Sequence, residues 1–130
     1  MTPLEDELQC ALVSVRAISS DAPASAALEF RYDPSFTGFQ GHFPNDPILP
    51  GVCLLQSLRV GLEKAWATQL RLTNILNAKF IMPVRPGETL LFAVTETARS
   101  PQAISVKAKV TRDSQRVAEL SIQLEPMPPQ

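Results

Sequence analysis

Along residues 27 to 32, ALEFRY, the apolar Leu28, Phe30 and Tyr32 alternate with Glu29 and Arg31, the two-residue period of a strand buried on one face. The preceding CALVSVRAIS is a less regular strand candidate. The pattern is sharper in the second half, where TLLFAVTETA (89–98), AISVKAKVT (103–111) and VAELSIQLE (117–125) read as strands. They put Val106, Ala108, Val110, Leu120, Ile122 and Leu124 on one face and Lys107, Lys109, Glu119, Ser121 and Gln123 on the other. Their connectors, RSPQ and RDSQR, are short enough for antiparallel hairpins. Between the two strand groups, GVCLLQSLRVGLEKAWATQ repeats Leu55, Leu58, Leu62 and Trp66 at helical spacing and starts after Pro50-Gly51. Apolar residues off that stripe, Val52, Cys53, Val60 and Ala67, predict a helix buried on more than one side. The tail PMPPQ is proline-rich and is expected to be loose, which leaves one domain over residues 1–125 and a tail over 126–130.

Strands, one long buried helix, then a run of antiparallel strands predict an α+β domain: a curved antiparallel sheet wrapped around one central helix. A chain of 130 residues, 45% hydrophobic, can bury one real core and is too short for two ordinary domains. Its 12 basic and 13 acidic residues are mixed along the chain, so it carries no electrostatic footprint for nucleic acid or an anionic membrane. The start, MTPLEDELQC, is acidic where a signal peptide is basic, and no apolar run approaches the roughly 18 residues of a membrane span. These features predict a cytoplasmic protein. Cys10 and Cys53 each lie in an apolar segment, and the expectation is two buried, reduced thiols. With one histidine and no paired ligand spacing, no metal site is expected.

The chemistry concentrates in GFQGHFPNDPILPGVCLLQ, residues 38 to 56, which holds His42, the sole histidine. Prolines fix φ at several positions there while Gly38, Gly41 and Gly51 permit turns, so the loop is stiff enough to hold an imidazole still. With an ordinary pKa of about 6.5, His42 can accept and return a proton near neutral pH; the alternative is a histidine that caps or packs in a turn. Gly51 stands where the predicted helix begins. Its backbone N–H and the positive end of the helix dipole can polarise a carbonyl, or Pro50-Gly51 can simply turn the chain into the helix. Phe39 and Phe43 are candidates to line an apolar site, with plain core packing as the alternative.

Two segments, GHFPNDPILPGVCLLQSL and NAKFIMPVRPGETLLF (77–92), resemble the hotdog-fold 3-hydroxyacyl-[acyl-carrier-protein] dehydratases of the FabZ and FabA type. Gly41-His42-Phe43-Pro44, Pro47-Ile48-Leu49-Pro50-Gly51, Lys79-Phe80, Pro83-Val84 and Pro86-Gly87-Glu88 fall in matching places. The resemblance implies a single hotdog domain and an acyl site of His42, Gly51, Val52, Phe39 and Phe43. It also implies a substrate carried on the phosphopantetheine arm of acyl-carrier protein, with no separate cofactor. It implies a homodimer or higher homo-oligomer, or a heterodimer with a related hotdog chain, because in that family a Glu or Asp fourteen residues past the histidine reaches across a dimer interface as the acid. Here that position is Gln56, an amide with no proton to give at neutral pH. Glu63 lies about 10 Å farther along the helix and, four residues after Arg59, is expected in an ion pair. Asp46 suits turn stabilisation.

Three functions follow. The first is a dehydratase in which His42 removes the C2 proton and returns it to the hydroxyl, with Gln56 orienting that hydroxyl or a water. The second is a helper subunit that binds acyl-carrier protein or pairs with an active homologue. The third is a hotdog thioesterase with Gln56 placing a hydrolytic water.

Overall fold

The computed structural model describes residues 3–19, 23–39 and 48–127. These form helix α1 (Pro3–Ala11), strands β1 (Leu12–Ser19) and β2 (Ser25–Arg31), and a single 3-10 turn at Thr37–Phe39. Helix α2 (Gly51–Trp66) and strands β3 (Leu70–Phe80), β4 (Thr89–Arg99), β5 (Ile104–Arg112) and β6 (Gln115–Pro126) follow. The strands make one antiparallel sheet in the order β1-β2-β4-β5-β6-β3, wrapped around α2 as the pattern predicts.

The alternating faces read from the sequence are the faces observed. Leu28, Phe30, Val106, Ala108, Val110, Leu120, Ile122 and Leu124 are all buried, in one core cluster with the inner residues of α2. Burying a valine, leucine, isoleucine or phenylalanine side chain contributes about 1.5–3 kcal/mol, so this stripe is a large source of stability. Helix α2 can lie close to the sheet because Gly61 faces β2: a Cβ there would stand 2.5 Å from Leu28 Cδ1. Cys53, Leu54, Leu55, Ser57, Leu58, Val60 and Leu62 are all buried, so α2 is enclosed on more than one side. Val52 and Ala67 are the exceptions, both exposed, at the two ends of the helix. The β5–β6 connector is a two-residue hairpin in which Asp113 and Ser114 both take positive φ, 50° and 68°, the backbone that matches strand twist.

Three sequence expectations are corrected and one strand is added. The less regular strand begins at Leu12; Cys10 and Ala11 belong to α1, a second helix that the periodicity did not reveal. Cys10 consequently lies exposed on that helix, whereas Cys53 is buried; both are free thiols. Strand β3 has no counterpart in the alternating pattern, because register shifts between Leu72 and Asn74 and between Ile75 and Asn77 break the two-residue period. The tail is also tied farther than expected: Pro126 ends β6 opposite Leu70, where a strand's last residue needs no ladder N–H, and the Met127 N–H donates to Gln69 O at 2.9 Å.

Candidate active site

The chain enters α2 through Pro50, whose extended backbone (φ −62°, ψ 144°) forms an N-cap without a side-chain hydrogen bond. The Cys53 N–H reaches back to Pro50 O at 3.0 Å. Gly51 and Val52 come before any intrahelical acceptor, so their N–H groups present the positive end of the helix dipole. Beside them opens an apolar cleft of about 280 Å³ walled by Ile48, Leu54, Phe80, Ile81 and Met82. The Phe80 ring lies directly on Gly51: a Cβ at that position would be 2.5 Å from Phe80 Cζ. With the ring in this position, only a residue without a side chain fits beneath it.

The segment Pro83 to Glu88, the second conspicuous motif of the sequence, clamps this entrance. The Leu49 N–H donates to Val84 O at 2.8 Å, and the Gly87 N–H donates to Tyr32 O at 2.8 Å. Glu88 Oε1 accepts from the Arg85 N–H at 2.7 Å and from Arg112 Nη1 at 2.8 Å, while the same Arg112 nitrogen donates to Pro83 O at 3.0 Å. Gly87 holds φ at +81°, a backbone that suits glycine.

Gln56 belongs to a different cleft. Five residues along α2 from Gly51 amount to about 7.5 Å of rise and roughly 140° of rotation, so the two side-chain positions diverge. Gln56 lines a groove with Glu5, Arg59, Arg71, Leu72 and Met127. Its Oε1 accepts from Arg59 Nε at 2.7 Å. Arg59, only 11% exposed, also donates from Nη1 to Glu63 Oε1 at 3.1 Å and from Nη2 to Glu5 Oε1 at 3.0 Å. Glu63 is in the expected ion pair, and its other oxygen accepts the Leu70 N–H at 2.8 Å, pinning the start of β3 to α2.

Behind the helix start, the buried hydroxyls of Tyr32 and Ser57 are 2.6 Å apart, and Ser57 donates to Cys53 O at 2.6 Å. Ser57 therefore accepts from Tyr32. Burial holds the Tyr32 phenol well above the ordinary tyrosine range. Burial, and secondarily the Glu7 carboxylate, pushes the Cys53 thiol up, which disfavours a thiolate nucleophile.

Of the site residues read from the sequence, Gly51 lines the apolar cleft, Val52 follows it and is 60% exposed, and Gln56 lines the second groove. Phe39 is buried and packs edge-on against Phe36, ring centroids 6.0 Å apart, in a cluster that continues through Tyr32 and Phe30. His42, Phe43 and Asp46 lie outside the described residues. Sequence reasoning missed Phe80 as a wall and Arg59 as the partner of Gln56. The second carried a signal, since Arg59 sits three residues after Gln56 and helix neighbours at that spacing meet. Nothing in the sequence announced Glu5, which arrives from α1.

The pattern of the ApeI-like family, described as ApeI dehydratase, matches residues 18–120. The chain is 33% identical over 93 residues to the 3-hydroxyacyl-[acyl-carrier-protein] dehydratase FabZ of Desulfotalea psychrophila, a match covering 65% of this chain and 62% of that one. It thus spans less than two thirds of that relative's length. Among solved structures it is similar to the dehydratase heterocomplex ApeI:P from Xenorhabdus doucetiae, with a TM-score of 0.70 at 24% identity over 88% of this chain and 96% of that one. A protein from Erwinia carotovora subsp. atroseptica gives a TM-score of 0.71 at 24% identity over 90% and 96%. The architecture is the hotdog fold.

Proposed function

The chain belongs to the ApeI-like dehydratase family, and from that premise we propose that it removes water from a 3-hydroxyacyl thioester to give the trans-2-enoyl thioester. The acyl group rides on acyl-carrier protein, in fatty acid or polyene and polyketide-like synthesis. The observation that carries this reading is the uncapped start of α2, with Gly51 under Phe80 at the wall of an apolar cleft. Such a cleft suits an acyl thioester, and backbone N–H groups at a helix start suit the oxygen on which negative charge develops.

In this reaction His42 takes the C2 proton, and the electrons of that C–H bond pass into the enolate held by the helix start. They return to form the C2–C3 double bond as the C3–O bond breaks, and His42 delivers its proton to the departing hydroxyl, which leaves as water. Gln56 donates a hydrogen bond to that oxygen. Because Gly51 and Gln56 of one chain open on different clefts, the second chain of a pair supplies the complementary half. Strand β3 suits that pairing, since it lies at the sheet edge and exposes Ile75 and Leu76.

The test is His42→Ala, assayed on a 3-hydroxyacyl or enoyl thioester by absorbance of the conjugated product. Turnover falls at least about a hundredfold with the fold intact, the scale of a lost acid–base group. Undiminished turnover would remove the reading. A second reading, a helper chain that pairs with an active homologue or binds acyl-carrier protein, is favoured by one feature: Gln56 stands where the resembling enzymes hold their acid. It predicts no turnover by the chain alone and turnover on mixing with the related chain.

A further inference from the structure

We propose that Arg59 is the positioning residue of Gln56, fixing its amide so that the group offered to the groove is the NH2 donor. A guanidinium carries only donors, so the Gln56 atom 2.7 Å from Arg59 Nε must be the amide oxygen, and the nitrogen is turned away. The guanidinium is itself held from two sides, by Glu63 one turn on along α2 and by Glu5 from α1, and is 11% exposed. Three acceptors around one planar fork leave it a single pose, and that pose passes to Gln56.

The charge count agrees with an amide at this position. A carboxylate at 56 would add a third negative group around the guanidinium that already pairs with Glu5 and Glu63. Arg71, on the same groove, is paired at 2.6 Å with Glu125. A neutral side chain with an acceptor toward Arg59 and a donor away from it fits this setting.

The consequence is a preference among reactions. A fixed N–H donor suits an oxygen that gains negative charge, the leaving hydroxyl of a dehydration. A water about to attack a thioester needs the opposite, an acceptor for its proton, and the Gln56 oxygen is engaged by Arg59. This consequence rests on the dehydratase reading; the positioning itself does not.

The experiment follows the Gln56 side-chain NH2 by 15N relaxation in the full chain, its resonances assigned by their loss in Gln56→Ala. Arg59→Lys keeps the charge but removes the Nε–H, and Arg59→Met keeps the length and removes both. The amide is expected to be rigid in the wild type and to fall below an order parameter of about 0.6 in both variants. A rigid amide in Arg59→Lys would overturn the proposal, because charge alone would then suffice. On the kinetic side, kcat is expected to fall about ten- to a hundredfold in Arg59→Lys with KM unchanged, and Gln56→Ala added to it to cost little more. Full additivity of the two losses would also overturn it. A wild type without turnover would defeat the dehydratase reading and leave the relaxation result to decide this one.

Discussion

The ring of Phe80 closes over Gly51 so tightly that a Cβ at residue 51 would meet three of its carbons at 2.5 to 2.8 Å. One residue comes from the start of α2 and the other from the end of β3, so this contact joins the helix start to the sheet edge. Phe80 is 49% exposed, and the colliding atoms are at the free end of its side chain, so it can swing aside. Gly51→Ala should therefore change stability by less than about 1 kcal/mol, alanine being also the better helix former. The displaced ring should instead alter the cleft: acyl-thioester affinity should fall while the denaturation midpoint holds. Phe80→Leu in the Gly51→Ala background should recover binding. Calorimetric titration with an acyl thioester measures both, and unchanged affinity in Gly51→Ala would show that the cleft is not the acyl site.

The Tyr32–Ser57 pair gives an asymmetric prediction. Ser57→Ala strands a buried phenol hydroxyl and should cost about 1–3 kcal/mol, whereas Tyr32→Phe removes the donor itself and should cost about 0.5–1.5 kcal/mol. The double variant should lose less than the sum. Alkaline pH gives a second readout. The folded phenol holds its proton above the ordinary range, while the unfolded one releases it near pH 10, so the stabilisation is complete below about pH 10 and is lost as pH rises beyond it. The slope for one proton is about 1.4 kcal/mol per pH unit. Tyr32 is the only tyrosine, so tyrosinate absorbance in urea titrations reports this group alone, and Tyr32→Phe should flatten the alkaline fall by one proton.

Where one face of an element meets the core and the other meets solvent, the sequence declared it. Val106, Ala108 and Val110 of β5 and Leu120, Ile122 and Leu124 of β6 could be read without coordinates because burial enforces the period of two. Strand β3 could not, since its two register shifts and mostly exposed side chains leave no face to enforce a pattern. Helix α1 escaped because it is short and rests on α2 through a few residues such as the buried Leu8. Among the candidate site residues, the place of Gly51 at the start of the helix and of Gln56 five residues on was legible in the sequence. What the sequence could not reveal was that they open on separate clefts and that Arg59 holds Gln56, because both depend on how α1 and β3 pack on α2.

Trp66 carries a cost that a single substitution should expose. Its ring packs on the core, but its buried Nε1–H finds no acceptor among the described residues. An unmade hydrogen bond of this kind costs about 1–3 kcal/mol, and Trp66→Phe removes the donor while keeping most of the ring. The expected thermal midpoint is equal to or above that of the wild type. Trp66→Ala, which loses the packing as well, should be less stable by about 3 kcal/mol. A Trp66→Phe variant as damaged as Trp66→Ala would mean that the indole N–H is satisfied in solution.

The outer edge of β3 makes the sharpest statement about assembly. From Thr73 to Ala78 the strand has no charged residue, and it exposes Ile75 (48%) and Leu76 (52%) while pairing on one side only, with β6. Native sheet edges are ordinarily protected by charges, prolines, short length or bulges, and over that stretch this eleven-residue strand has no charge or proline, its register shifts being the device it does carry. The other edge, β1, has Arg16 in its middle. A second chain, identical or related, is therefore expected along β3, with Phe80 and Ile81 extending the apolar surface toward the helix start. The paired Ile75→Lys and Leu76→Lys substitutions place like charges at that edge and should shift the particle toward the 14.2 kDa monomer at micromolar concentration. Turnover should fall with the loss of the pair, because Gly51 and Gln56 of one chain do not share a cleft. Light scattering of the wild type that finds a 14.2 kDa particle, active without any related chain, would sink both the interface and the shared site.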